Sequence, residues 1–433
     1  MKETILLFSF LLMLSCAVAY TSSMHPVLRE MDRGATTEAM STFRDVFPDS
    51  TGKDRLLYLM ELGNLARYAG QENLAQTLLL RADRLSDNLR GVQLGQEAQA
   101  MITSDLALEF RGADYEKVFI NYCLAASFAR AGNFESAIVE ARSVNEKLKE
   151  INISHQENPN RYNDDAFVRY FMGVLYEIDG YDDDALISYR LALATYDSVY
   201  SSDYSLDAPV QLHEDLMRLA HYNGFESLYS EYQTRWPDLD WSSSGPTAEM
   251  GEVVVILELG NIASRKASDF TVYSDDRVYS IALPVIPKSR RRIVSGRFTI
   301  AGRSVNSFLV EDLNGIARSN LEDQAGRNII RAAARFAIKA GVAELGESVT
   351  EQLTDNENIS SGVGLVLSIF GAATEQADLR AWLTLPAQIQ MVRVQVPPGN
   401  WPLSYTLGGE TLTGGNIQVE AGEISLVFLR GNI

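Results

Sequence analysis

Two hydrophobic periods divide this chain. From residue 24 to about 245, apolar positions recur at helical spacing, and a glycine stands five residues ahead of an alanine three times: Gly70 before Ala75, Gly132 before Ala137, Gly180 before Ala185. Leu59, Leu62, Gly63, Leu79 and Ala82 surround the first of these. Leu124, Ala125, Phe128 and Ala141 surround the second, and Gly173, Tyr176, Tyr189 and Ala192 the third. Small residues at Gly63, Ala125 and Gly173, facing Ala75, Ala137 and Ala185, let two antiparallel helices approach closely. Tyr176 and Tyr189 are suited to fill the wedge between neighbouring pairs. Each turn glycine supplies the backbone freedom that stops the first helix of a pair. The pattern predicts a stack of helix pairs over 24–241, with an insert near 88–114, an Asn-rich connection over 146–163 and a degenerate closing pair over 207–235. Asp182-Asp183-Asp184 fits the first turn of a helix, where acids complement the dipole. It lacks the alternating ligands of a calcium loop.

After Ser242 to Pro246 the period shortens to two. Residues 242–248 read as a linker, and 249–433 as a β-rich domain with strands over 252–259, 278–286, 293–300, 389–396, 403–406 and 424–429. Pro397-Pro398-Gly399-Asn400 and Gly408-Gly409 punctuate them as turns. Strands this short at this spacing predict a small antiparallel sandwich. A helical hairpin is expected within it over about 322–376, with stretches at 322–346 and 361–376. Arg327, Arg331, Arg335 and Lys339 form a basic stripe along the first stretch. That stripe and the cluster Lys288, Arg290, Arg291 and Arg292 are the candidates for an anionic surface, against the plainer reading of solvated basic faces.

The first 19 residues read as an export signal: Lys2, then an apolar run from Ile5 to Leu14 that is short for a membrane span. Leu12-Met13-Leu14-Ser15-Cys16 resembles a bacterial lipobox, which would make Cys16 the lipidated first residue of the mature chain. Ala17-Val18-Ala19 offers cleavage after Ala19 instead. Only Cys16 and Cys123 are present, so the mature chain holds no internal disulfide. Cys123, among Tyr122, Leu124 and Ala125, reads as a buried small hydrophobe.

Charge sharpens the division. The 433 residues carry 57 acids and 38 bases, a formal net charge of −19, which argues against a nucleic-acid partner. Residues 246–433 hold 20 acids and 17 bases, so nearly all of the excess acid lies before them. Catalytic signatures are absent from the sequence. His25, His155, His213 and His221 are scattered, without metal-ligand spacing, and neither a Gly-x-Ser-x-Gly elbow nor a phosphate loop occurs. The reading includes no cofactor, no metal site and no catalytic residue.

The repeat positions resemble those of a tetratricopeptide repeat (TPR). Together with the leader they resemble a family of largely uncharacterised bacterial envelope lipoproteins having an N-terminal TPR-like domain and a C-terminal β-rich domain. Tyr115 to Arg142, Tyr170 to Tyr189 and Ala377-Asp378-Leu379-Arg380-Ala381-Trp382-Leu383-Thr384-Leu385-Pro386 carry that resemblance. It implies an α+β multidomain chain: a TPR-like helical solenoid, then the sandwich with its inserted hairpin. It also implies a non-enzymatic envelope scaffold, anchored at the outer membrane, facing the periplasm and binding an envelope protein. On the repeat register, Asn64, Arg67, Tyr68, Tyr122, Arg130, Tyr170 and Glu177 face the groove as partner-binding candidates, each also an ordinary solvent-facing position. Two alternatives stand beside this reading. One is a glycan-binding envelope protein using Trp382, Trp401 or the 288–292 cluster on peptidoglycan or lipopolysaccharide; the other is an unrecognised hydrolase.

Overall fold

The computed structural model describes residues 16–48, 51–91, 108–156, 159–242, 244–274, 277–288, 295–325 and 377–432. Five helix pairs come first: α1 (Cys16–Asp32) with α2 (Thr36–Val46), α3 (Arg55–Tyr68) with α4 (Glu72–Gly91), α5 (Asp114–Arg130) with α6 (Phe134–Ser154), α7 (Ala166–Ile178) with α8 (Asp182–Thr195), and α9 (Val210–Tyr222) with α10 (Glu226–Arg235). The turn glycines Gly70, Gly132 and Gly180 take φ of +70°, +75° and +79°, the left-handed conformation that ends a helix without a Cβ penalty. Gly173 lies directly against a side chain of the partner helix. A Cβ there would lie 2.2 Å from the Tyr189 ring, so α7 and α8 meet through a bare backbone. The first pair precedes the three repeats that the glycine spacing marks.

The β region holds β1 (Gly251–Leu259), β2 (Lys266–Ser274), β3 (Arg277–Val285), β4 (Arg297–Ile300), β5 (Arg303–Asn306), β6 (Phe308–Glu311), β7 (Gln388–Val396), β8 (Gly399–Leu407), β9 (Glu410–Val419) and β10 (Ile424–Gly431). One sheet runs β10-β1-β7-β6, a second β5-β4-β8-β9, and β2 and β3 form a separate hairpin. The sandwich is antiparallel except at one place: β1 and β10 pair in parallel, with Glu252 opposite Ile424 and Glu258 opposite Arg430. A helix over 313–325 follows β6. Residues 326–376, including Arg327, Arg331, Arg335 and Lys339, lie outside the described residues, as do Arg290, Arg291 and Arg292.

Strand β1 is buried along its whole length. Val253, Val255, Leu257 and Leu259 face Phe298, Ile300, Leu403 and Tyr405 in the sandwich core. Val254 and Ile256, with Ile389 and Met391 of β7, belong to the other core, which also contains Tyr122, Tyr170, Phe171 and Trp382. The molecule is thus three layers deep: helical array, first sheet, second sheet. The last helix ends at Arg235 and β1 begins at Gly251. The helical half and the β region are not separate bodies, because the concave face of the helices and one face of the first sheet bury each other in a single core. Ser244 and Gly245 of the expected linker are held too. Ser244 donates to Asp215 at 3.0 Å, and Gly245 N–H to Glu252 at 3.2 Å.

Candidate functional site

The site that the sequence nominated is the concave groove, and three polar clusters describe it along its length. At the N-terminal end the groove holds an extended segment of its own chain, residues 377–387. Glu61 of α3 accepts hydrogen bonds from the backbone N–H groups of Leu383 (2.7 Å) and Thr384 (3.1 Å) and from the Tyr20 hydroxyl (2.7 Å). Glu116 of α5 accepts from Trp382 N–H at 2.8 Å, and Asn64 donates to the Thr384 carbonyl at 2.9 Å. Arg380 reaches Asp54 at 2.6 Å and Asp378 at 2.7 Å. Main-chain groups are read, as in peptide capture, but the peptide is internal. Burial pushes Glu61 up to about 7, against the donors that favour its charged form.

In the middle, Arg67 pairs with Glu258 of β1 at 2.7 Å and donates to Asn64 at 3.0 Å. Tyr122 donates to the other Glu258 oxygen at 2.7 Å. The guanidiniums of Arg67 and Arg430 lie 4.4 and 4.3 Å from the Tyr68 ring centroid. Cys123 is buried beside them. Burial pushes its thiol up to about 12, which makes it inert rather than nucleophilic.

Toward the C-terminal repeats, Arg393 of β7 sits among three carboxylates. It pairs with Asp215 at 2.8 Å, with Glu177 at 3.1 Å and closely with Glu252. Arg218 joins from α9, 2.6 Å from Glu177, and Tyr170 donates to Asp215 at 2.7 Å. Burial works to raise Glu177, but Arg218 and Arg393 outweigh it and hold the carboxyl at about 2. Beyond this cluster, Tyr200 of the π-helical stretch Tyr196–Tyr204 donates to Glu311 of β6 at 2.9 Å, and Tyr162 donates to Asp165 at 2.7 Å. Burial raises Asp165 to about 6 and lifts Glu311 as well.

The groove is occupied by this chain itself. Asn64, Arg67, Tyr68, Tyr122 and Glu177 meet Thr384, Glu258, Arg430 and Arg393 of this chain's own C-terminal half, and Tyr170 is buried against Asp215 and Tyr189. That corrects their reading as solvent-facing partner contacts. Arg130 alone among the seven lies outside the groove, paired with Glu72 at 2.9 Å. Trp382 is fully buried and presents no face to a sugar; Trp401, on β8, is half-buried with its indole donating to the Pro397 carbonyl at 2.8 Å. Lys288 is exposed beyond β3. Among the described residues no group of three His, Cys, Asp or Glu is placed to hold a metal ion, and no helix is long and apolar enough to cross a membrane. Sequence reasoning passed over Glu61, Glu116, Asp215, Glu252, Glu258 and Arg393. The missed signal was a charge at even spacing on an otherwise apolar strand: Glu252 and Glu258 flanking Val253 to Leu257, and Arg393 between Val392 and Val394.

No protein-family model matches the chain, and no curated protein matches it by sequence. Solved structures are similar in part. The apo form of RapI is 14% identical with a TM-score of 0.36, over 54% of this chain and 56% of RapI, so the match spans little more than half of that protein. A Podosopora anserina putative kinesin light chain with nearly identical TPR-like repeats is 15% identical, with a TM-score of 0.32 over 51% of this chain and 93% of its own. MamA is 13% identical, with a TM-score of 0.30 over 48% and 90%.

Proposed function

We propose that this chain is a non-enzymatic scaffold of the bacterial cell envelope, anchored through a lipidated Cys16 at the outer membrane and facing the periplasm. In this reading it holds another envelope protein on the outer face of its helical array, not in the groove. One observation carries the choice of face. The concave side is filled by the chain itself, whereas the second helices of successive pairs expose large apolar side chains. Val139 on α6 and Ile187 on α8 are 54% and 55% exposed, and Leu191 stands one turn beyond Ile187 on the same side of α8. Tyr181, capping α8, is exposed with them. Ile187 and Leu191, side by side on one exposed face of α8, are the kind of apolar pair that a protein contact covers. Every groove carboxylate described above is tied to donors of this chain, which supports a structural over a catalytic role for them.

The test uses full-length chain in envelope membranes. Ile187→Asp with Leu191→Asp should abolish cross-linking to the partner captured by the parent chain, with an unchanged melting temperature. Equal capture by both would move the contact elsewhere. Cys16→Ser should lose incorporation of a palmitate analogue and leave the membrane fraction. A parent chain that takes no lipid label would instead favour cleavage after Ala19.

A further inference from the structure

We infer that one end of the helical array is pressed against the lipid surface in a fixed orientation, because the anchor has no slack. This rests on lipidation of Cys16, as proposed above. Helix α1 runs without a break from Cys16 to Asp32. Tyr20, four residues on, is already buried and donates to Glu61, and Met24, Val27 and Met31 continue the buried face. At 1.5 Å per residue, roughly 6 Å of helix separates the acylated residue from the folded body. A flexible tether of the kind that lets a domain tumble above a bilayer does not intervene.

The chain also specifies which end is pressed down. The Tyr20 ring lies tilted against Phe47 with ring centroids 5.5 Å apart, which sets the start of α1 beside the loop entering α3. That loop adjoins the one entering α5, where Phe110 N–H meets the Lys53 carbonyl at 2.7 Å. The next loop follows, where His155 and Asn160 meet Asp114 at 3.0 and 2.8 Å. Thr195, at the head of the π-helical stretch, meets Asp164 at 2.9 Å. These loops form one end of the array, and Glu109 and Ser202 are exposed on it. The far end carries the turns at Gly70 and Gly132, with Gln71 and Ala131 exposed. There the end of α1 is tied to the β region, Asn261 donating to Asp32 at 2.9 Å. These loops carry Lys53 with Asp54, Glu109 with Arg111 and Arg161 with Asp164, so the covalent anchor and the rigid helix hold this end, not charge.

The experiment takes lipidated full-length chain into phosphatidylethanolamine/phosphatidylglycerol vesicles that contain a headgroup nitroxide. A thiol fluorophore is placed at Glu109→Cys, Ser202→Cys, Gln71→Cys or Ala131→Cys; buried Cys123 does not compete for it. Quenching should be several-fold stronger at 109 and 202 than at 71 and 131, and insensitive to salt. Inserting about ten Gly/Ser residues after Cys16 adds a reach of roughly 17 Å and should level the four positions. Equal quenching at all four without the insert, in chain that carries the lipid label, overturns the fixed orientation while leaving the anchor intact. Absence of the lipid label overturns both.

Discussion

Replacing Arg393 with Met is the most direct test of the idea that the groove is an internal interface. The substitution keeps the volume of the stem and removes the guanidinium that Glu177, Asp215 and Glu252 share. Arg218 then remains alone beside three buried carboxylates. Removing one partner of a buried ion pair costs about 3–5 kcal/mol, because the uncompensated charge stays behind. The Glu177 carboxyl gives an independent figure: it is held at about 2 instead of an ordinary 4.5, a difference worth roughly 3 kcal/mol, to which both arginines contribute. A depressed carboxyl stabilises the fold above its unfolded value and loses that contribution as pH falls toward its folded value. The gap between parent and variant should therefore be largest near neutrality and should narrow as pH drops from about 5 toward 3. The assay is urea unfolding of the full chain at several pH values, followed by far-ultraviolet circular dichroism and by tryptophan fluorescence. Both probes should shift together, since the helices and the first sheet share one core. A loss below about 1 kcal/mol, or a gap that does not change with pH, would refute the convergence of charges on Arg393.

Other predictions follow the same geometry. Gly173→Ala should destabilise by about 1–3 kcal/mol, because its Cβ would meet the Tyr189 ring at 2.2 Å; an unchanged melting temperature would mean that α7 and α8 lie farther apart. Glu61, raised to about 7, binds its proton more tightly in the folded chain. Its stabilising contribution is therefore full below about 4.5 and declines as pH rises through 7. Glu61→Gln should flatten that slope in urea titrations, and an unaltered slope would assign it to another group. A chain cut after residue 245 should give helical circular dichroism without a cooperative transition, because Tyr122, Tyr170 and Phe171 would be uncovered; a sharp two-state melt would show that the helices stand alone.

What the sequence disclosed depended on how local the signal was. Gly173 and Ala185 announce a close helix crossing through residues a dozen apart, and the crossing is there. The strands over 252–259 and 389–396 are visible because Val, Ile, Leu and Met outnumber polar residues in each. β9 was not: Glu410 to Val419 is polar, contains Gly414 and Gly415, and reads as a loop until it is paired with β8. The groove defeated sequence reasoning for a different reason. Arg67 and Glu258, or Asp215 and Arg393, look solvent-facing when each is placed on its own helix or strand. Only the long-range pairing shows that they neutralise one another. The run from Asp378 to Pro386 was distinctive without an evident role. Its role is to lie along α3 and α5, with its amides held by Glu61 and Glu116.

The parallel pairing of β1 with β10 sets a schedule for folding. β1 lies between β7 and β10, so the sheet that fills the helical groove is incomplete until residues 424–431 are available. A chain that emerges from its N-terminus builds its helix pairs early from local contacts, then waits with an apolar concave face open until the last strand is delivered. Closure through contacts so far apart in sequence is slow, and the waiting state exposes the surface that binds chaperones or aggregates. Loss of the last strand alone would then leave a helical array that forms but never closes.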